Sequence, residues 1–130
     1  MKKIILFILF LSLNILFVPP HKEAYSRTLT PREFVSIYSK QFNISENQLL
    51  RTAICESKLK PNAINYNDGG KGRHSFGILQ FQESTFLTWE KKLGEDLDYY
   101  SYQDQIKLGA FMFSKGQQKQ WTCFRILFGV

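Results

Sequence analysis

Apolar positions after residue 30 recur at helical spacing. Thr30-Pro31-Arg32-Glu33 reads as a capping box with proline at the first helical position. Phe34, Val35, Ile37, Tyr38 and Phe42 then form one apolar face, which Asn43 should break. Ser45-Glu46-Asn47-Gln48 is a second capping box, followed by Leu49, Leu50, Ala53 and Ile54 at the same period. This second helix should stop near Lys58, because Pro61 disfavours helical backbone at Lys60. Glu56 is thereby placed in a last helical turn, where the chain leaves the core.

The pattern changes over 59–76. Asn62, Asn65, Asn67, Asp68, Gly69, Gly70 and Gly72 are turn formers with little capacity to build a core. A loop or short β-hairpin is expected there, crossing the front of any cleft. Its length is unusual for a structureless connection, which favours a functional segment. Ser75 to Phe81 is apolar apart from Ser75 and Gln80 and should be buried. A third helix is expected from Glu83 to Lys92, stopped by Gly94. A fourth starts at Ser101-Tyr102-Gln103-Asp104 and ends by Gly116, with Ile106, Leu108, Ala110, Met112 and Phe113 on a broad apolar face. Trp89 and Trp121 read as core. The expected fold is one small, mainly helical domain over 27–130, with the hairpin or loop flanking a cleft.

The N-terminus is of another kind. Lys2 and Lys3 precede a mostly apolar run from Ile4 to Val18, the pattern of a secretory signal. That run is short for a membrane span, which needs ~20 residues. Ala24-Tyr25-Ser26 supplies small residues for cleavage after Ser26, so 1–26 is read as a signal peptide. The alternative is an uncleaved anchor, the one route to a membrane this chain offers. Both readings place the domain outside the cytoplasm, secreted, periplasmic or wall-associated.

The whole chain carries 17 basic and 11 acidic residues. Removing Lys2, Lys3, Lys22 and Glu23 with the leader leaves net charge +4 on 27–130. A modest positive charge suits an anionic polymer. The basic residues are scattered singly or in pairs, without the clustered stripe of a nucleic-acid binder. His21 falls in the leader and His74 alone cannot complete a zinc site, so no metal or cofactor is expected. Two cysteines in a small exported domain favour a disulfide. If Cys55 and Cys123 pair, they close a loop of about 69 residues, worth roughly 4 kcal/mol in the chain-entropy model. Two buried free thiols are the other reading.

Glu56 lies between Ile54 and Leu59 in a helix packed on one side. Burial of that kind keeps a carboxylic acid protonated near neutral pH, as cleavage of a glycosidic bond requires. The plainer reading is a solvated helix-end glutamate, mildly disfavoured by the helix dipole. Asp68 is the only carboxylate between Glu56 and Glu83, and thus the candidate second carboxylate of a two-acid mechanism.

Three blocks carry a resemblance: Cys55-Glu56-Ser57, Ser75-Phe76-Gly77-Ile78-Leu79-Gln80-Phe81 and Ser84-Thr85-Phe86. They resemble the Glu-Ser and Gly-Leu-(Met/Gln)-Gln blocks of soluble lytic transglycosylases. They are closer still to the resuscitation-promoting-factor domain of the same lysozyme-like superfamily. Gln105-Ile106, Gly116 and Trp121-Thr122-Cys123 follow in the matching order. The resemblance implies Glu56 as catalytic acid and a Cys55–Cys123 disulfide. It also implies a cleft-facing Gln80 bonding sugar groups, a Gly77 that lets backbone approach the sugar, and a Ser57 that steadies the backbone beside the acid. Gln80 bonded only to backbone is the alternative for that residue. The Ala-Tyr-Asn block of many transglycosylases is absent, and its glycan-binding tyrosine has no assigned counterpart. Tyr66, Tyr99, Tyr100 and Tyr102 are candidates for stacking on sugar, with Tyr66 placed among the substrate-binding residues; ordinary packing is the alternative for each.

The implied activity is peptidoglycan cleavage at the β-1,4 bond between N-acetylmuramic acid and N-acetylglucosamine, by an enzyme expected as a monomer. Glu56 alone suffices if the sugar's own 6-hydroxyl is the nucleophile, giving an anhydro product. Hydrolysis with Asp68 as base is the rival, and a non-catalytic wall-binding factor is a third reading. A cationic membrane-active protein is the least supported.

Overall fold

The computed structural model describes residues 27–130, so the leader read over 1–26 lies outside the described residues. Helix α1 spans Pro31–Gln41. Its capping box forms as expected: Thr30 Oγ1 accepts from the Glu33 amide, and the Glu33 carboxylate accepts from the Thr30 amide at 2.8 Å. Helix α2 spans Glu46–Ser57, capped by Ser45. Helices α3, Glu83–Leu93, and α4, Tyr102–Ser114, begin and end close to the positions expected. Gly94, at φ +79°, ends α3 in the left-handed conformation that glycine tolerates best.

The polar segment between α2 and α3 forms the short hairpin. Strands β1, Ile64–Asn65, and β2, Ser75–Phe76, pair antiparallel, with Ile64 opposite Phe76 and Asn65 opposite Ser75. Two residues per strand give little stability of their own. The hairpin is held instead by what lies under it, described below.

Helix α4 is the centre of the fold. Ile106, Leu108, Ala110, Met112 and Phe113 are all buried, and they pack with Val35 of α1, Leu49 and Ala53 of α2, and Phe86 of α3. Trp89 and Trp121 are buried as read. One element was not anticipated. A 3₁₀ turn at Gln118–Gln120 leads into helix α5, Thr122–Phe128, which packs on α2. Seven residues are too few for a periodic pattern, and no side-chain cap announces its start. Its anchors are Phe124, stacked edge-on against Phe113 at 5.5 Å, and Arg51 of α2 over the Phe128 ring at 5.1 Å.

Candidate active site

Helix α2 ends abruptly just after Glu56. Lys58 and Leu59 both adopt the left-handed conformation, at φ +54° and +60°, although neither is glycine. Such backbone costs about 1–2 kcal/mol per residue and persists only where surrounding contacts impose it. The sharp turn carries the chain away from the helix axis and leaves a cavity of about 370 Å³ beside the acid. Cys55, Glu56, Ser57, Lys58, Asp68 and Gln80 are among its lining residues.

Glu56 is half-buried in the wall of that cavity. Its Oε1 accepts the Cys123 amide at 3.3 Å, from the first turn of α5. Burial raises its pKa above the usual carboxylate range. The Cys123 amide opposes that shift, the Asp68 charge adds to it, and Arg125 opposes it. Burial is the largest contribution, so the carboxyl is biased toward the protonated form. The Cys55–Cys123 disulfide fixes α5 against α2 one residue from the acid, with Cα atoms 5.9 Å apart.

The other wall is the block Gly77-Ile78-Leu79-Gln80. It forms a tight loop closed at its base, where the Phe76 amide donates to the Phe81 carbonyl at 2.9 Å and the Phe81 amide returns at 3.1 Å. This loop is mostly buried, so its backbone groups need partners. Side chains from four separate stretches of chain supply them. Ser57 Oγ donates to the Ile78 carbonyl at 2.8 Å, and Trp121 Nε1 to that of Leu79 at 2.8 Å. Tyr99 Oη donates to the Phe81 carbonyl at 2.6 Å. Gln105 Nε2 donates to the Phe76 carbonyl at 3.0 Å, while its Oε1 accepts from the Leu79 amide at 3.3 Å.

Several of the expected site residues have partners within the fold. Gly77 does sit at φ +86°, but the close approach there comes from Gln105: a Cβ on Gly77 would lie 2.3 Å from the Gln105 amide nitrogen. Packing inside the protein thus accounts for this glycine without a sugar. Gln80 lines the cavity, yet its Nε2 donates to the Ala63 and Gly77 carbonyls at 3.0 and 2.8 Å, and its Oε1 accepts from Ser75 at 3.0 Å. The side chain is bonded within the fold, to two backbone carbonyls and to the Ser75 hydroxyl. Ser57 braces backbone. Asp68 lines the same cavity as Glu56, its backbone carbonyl accepting from Gln82 Nε2 at 3.1 Å. Tyr66 stands apart from this cavity, in a larger neighbouring one of about 730 Å³.

Residues 33–120 match the model of the transglycosylase SLT domain. The chain belongs to that family. No curated protein and no solved structure matches the chain. Among the described residues, five α-helices beside a two-stranded sheet agree with the lysozyme-like architecture of an SLT domain. The family's general activity is glycan cleavage in peptidoglycan by lytic transglycosylation. The matched segment ends before Cys123, so α5 and its amide to Glu56 lie just beyond the SLT match.

Sequence reading missed Gln105 as the clamp under the Gly77–Gln80 loop and Gln82 as the tie to Asp68. Gln105 left a signal, a polar residue directly beside Ile106 on the stripe expected to be buried. Lys58 and Lys60 at the cavity mouth were read only as markers of the helix end. Among the described residues, no group of three or more His, Cys, Asp or Glu is gathered to hold a metal ion.

Proposed function

We propose that the protein is an exported lytic transglycosylase that cleaves the β-1,4 bond between N-acetylmuramic acid and N-acetylglucosamine, with Glu56 as its single acid and base. The observation that carries this reading is a half-buried Glu56 carboxyl facing a cavity, with burial holding its pKa up and one backbone amide as its hydrogen-bond partner. The protonated acid gives its proton to the bridging oxygen as the bond from muramic C1 to that oxygen breaks. The carboxylate so formed then takes the proton of the sugar's 6-hydroxyl, whose oxygen closes on C1. A 1,6-anhydro end results, Glu56 is protonated again, and no water is consumed. The disulfide beside the acid supports action outside the cytoplasm, where such bonds persist. The net charge of +4 over 27–130 suits an anionic wall.

A second reading has Asp68 as base for an attacking water, because it shares the cavity and its charge reaches Glu56. Mass spectrometry of digested peptidoglycan separates the two. Anhydromuramic ends are expected; fragments ending only in reducing muramic acid would establish hydrolysis instead. Undiminished biological activity in Glu56→Gln would point to a non-catalytic wall-binding factor.

A further inference from the structure

The disulfide beside Glu56 is open to solvent on one side. Cys55 is exposed and lines the cavity that holds the acid, whereas Cys123, in the first turn of α5, is half-buried. The bridge joins the two elements that flank the carboxyl. Cys55 directly precedes Glu56 on α2, and the Cys123 amide donates to Glu56 Oε1 at 3.3 Å. Helix α5 has little else to hold that first turn. It is seven residues long, has no side-chain cap, and packs mainly on α2 and the preceding 3₁₀ turn. Of its own residues only Phe124 is buried, against Phe113. The rest of the core is built without α5: Val35, Leu49, Phe86, Ile106 and Met112 are buried among α1 to α4. Cys123 also lies beyond the SLT match at 33–120, so one half of the bridge stands outside the matched segment.

A buried bridge resists thiols, while an exposed one is open to exchange and belongs to the labile, regulatory kind. We propose that Cys55 is a thiol-exchange site and that the bridge is a reducible switch on the acid, opened by a dithiol entering at the cavity. The dithiol's thiolate bonds to Cys55 Sγ as the Cys55–Cys123 bond breaks, and Cys123 leaves as a thiolate that takes up a proton from the dithiol. The dithiol's second thiolate then attacks its own sulfur in the mixed disulfide and frees Cys55, which takes up the second proton. Two electrons pass to the protein, and the dithiol departs as a disulfide. The reverse exchange with an oxidised dithiol restores the bridge. In the reduced form α1 to α4 stay packed, the first turn of α5 loosens, and the Cys123 amide no longer holds the Glu56 carboxyl in place. The proposal rests on the transglycosylase reading above and adds control of that same site.

Three measurements test it, each on the folded protein below the melting temperature of its reduced form. The first treats wild type with glutathione and with a Cys-x-x-Cys redox protein whose second cysteine is serine, and maps the trapped mixed disulfide by mass spectrometry. An adduct on Cys55 from either probe is expected and tells a small thiol from a protein one. Adducts on Cys123 alone, or none, would overturn the proposal. The second follows backbone order parameters by NMR before and after dithiothreitol. Those of 122–124 should fall from about 0.85 to below about 0.6, with α4 unchanged. An unchanged α5, or equal loss in α4, would make the bridge purely structural and refute the switch. The third measures cleavage of peptidoglycan. Turnover should fall at least about tenfold on reduction, the worth of one hydrogen bond to a carboxylate, and recover on reoxidation. Cys55→Ala with Cys123→Ala should be fixed at the low rate and indifferent to dithiothreitol; full activity in reduced wild type or in this variant would sink the idea. If oxidised wild type does not cut, the enzymatic reading fails, while the adduct map and the order parameters still decide the switch.

Discussion

The two sides of Glu56 are built on opposite principles. On the α2–α5 side the acid is held by a covalent bridge, a backbone amide and buried aromatic packing through Trp121 and Phe124. On the other side runs the polar segment after Lys60, where Asn62, Ile64, Asn65 and Tyr66 are all exposed. Asp68 is tied there by a few hydrogen bonds, its amide donating to the Arg73 carbonyl at 2.9 Å, and its carbonyl and carboxylate accepting from Gln82 Nε2 at 3.1 and 3.5 Å. On the proposed mechanism the rigid side would position the proton, and the lightly held side would meet a bulky, variable polymer. Regions with few buried apolar contacts open at low free-energy cost, as substrate-facing segments must. Damage to the first side should therefore cost chemistry or folding, and damage to the second should change selectivity or pH response.

Glu56→Gln should have the largest effect, a fall in turnover of about 10³–10⁴, because the proposed mechanism uses one residue as both acid and base. Stability should not fall with it. Burial raises the folded-state pKa of Glu56, so its contribution to stability is full at acidic pH and lost as pH rises through that raised value. A thermal melt at neutral pH should find Glu56→Gln at least as stable as wild type. A variant that loses both activity and fold would show that the acid is structural.

Cys123→Ser comes next. Freeing a loop with 68-residue separation should remove roughly 4 kcal/mol of stability in the chain-entropy model. The Cys123 amide would lose its fixed position against the carboxylate, so activity should drop further than the melt alone explains. Reduced wild type should match the variant in a thermal melt. An unchanged melting temperature under oxidising conditions would contradict the whole account of the rigid side.

Gly77→Ala tests the seam between the two sides. The new methyl would meet the Gln105 amide at a backbone position with positive φ, a loss of roughly 2–4 kcal/mol. Denaturant unfolding should show that loss. A fully stable but inactive variant would return Gly77 to the role first read for it, close approach to the sugar.

The residues that resisted sequence reading share one property: their roles depend on long-range partners. The helix caps at Thr30, Ser45 and Ser101 were legible because each signal and its partner lie within one turn. The core face of α4 was legible through its period, and the helix-end position of Glu56 through the Pro61 that follows it. Gln105 was not, because its partners Phe76 and Leu79 lie at least 26 positions away. Helix α5 was not, because its stability comes from packing on α2 and the bridge rather than from its own seven residues. The 730 Å³ cavity was not, because it is assembled from four separated stretches of chain. Local rules describe elements, and sites are made between elements.

Asp68→Asn should have the smallest effect and the most to say about the lightly held side. The Asp68 charge raises the Glu56 pKa, so removing it should lower that pKa. Cleavage requires the protonated acid, so the high-pH limb of the kcat/KM profile should move to lower pH. The shift should shrink as ionic strength rises, because Asp68 is only partly buried and its field is screened. Anhydro ends should remain the product throughout. A loss of about 10² or more in rate, with hydrolysed ends in wild type, would instead make Asp68 a general base. The lightly held side would then carry chemistry too, and the division of labour drawn between the two walls would fail at Asp68.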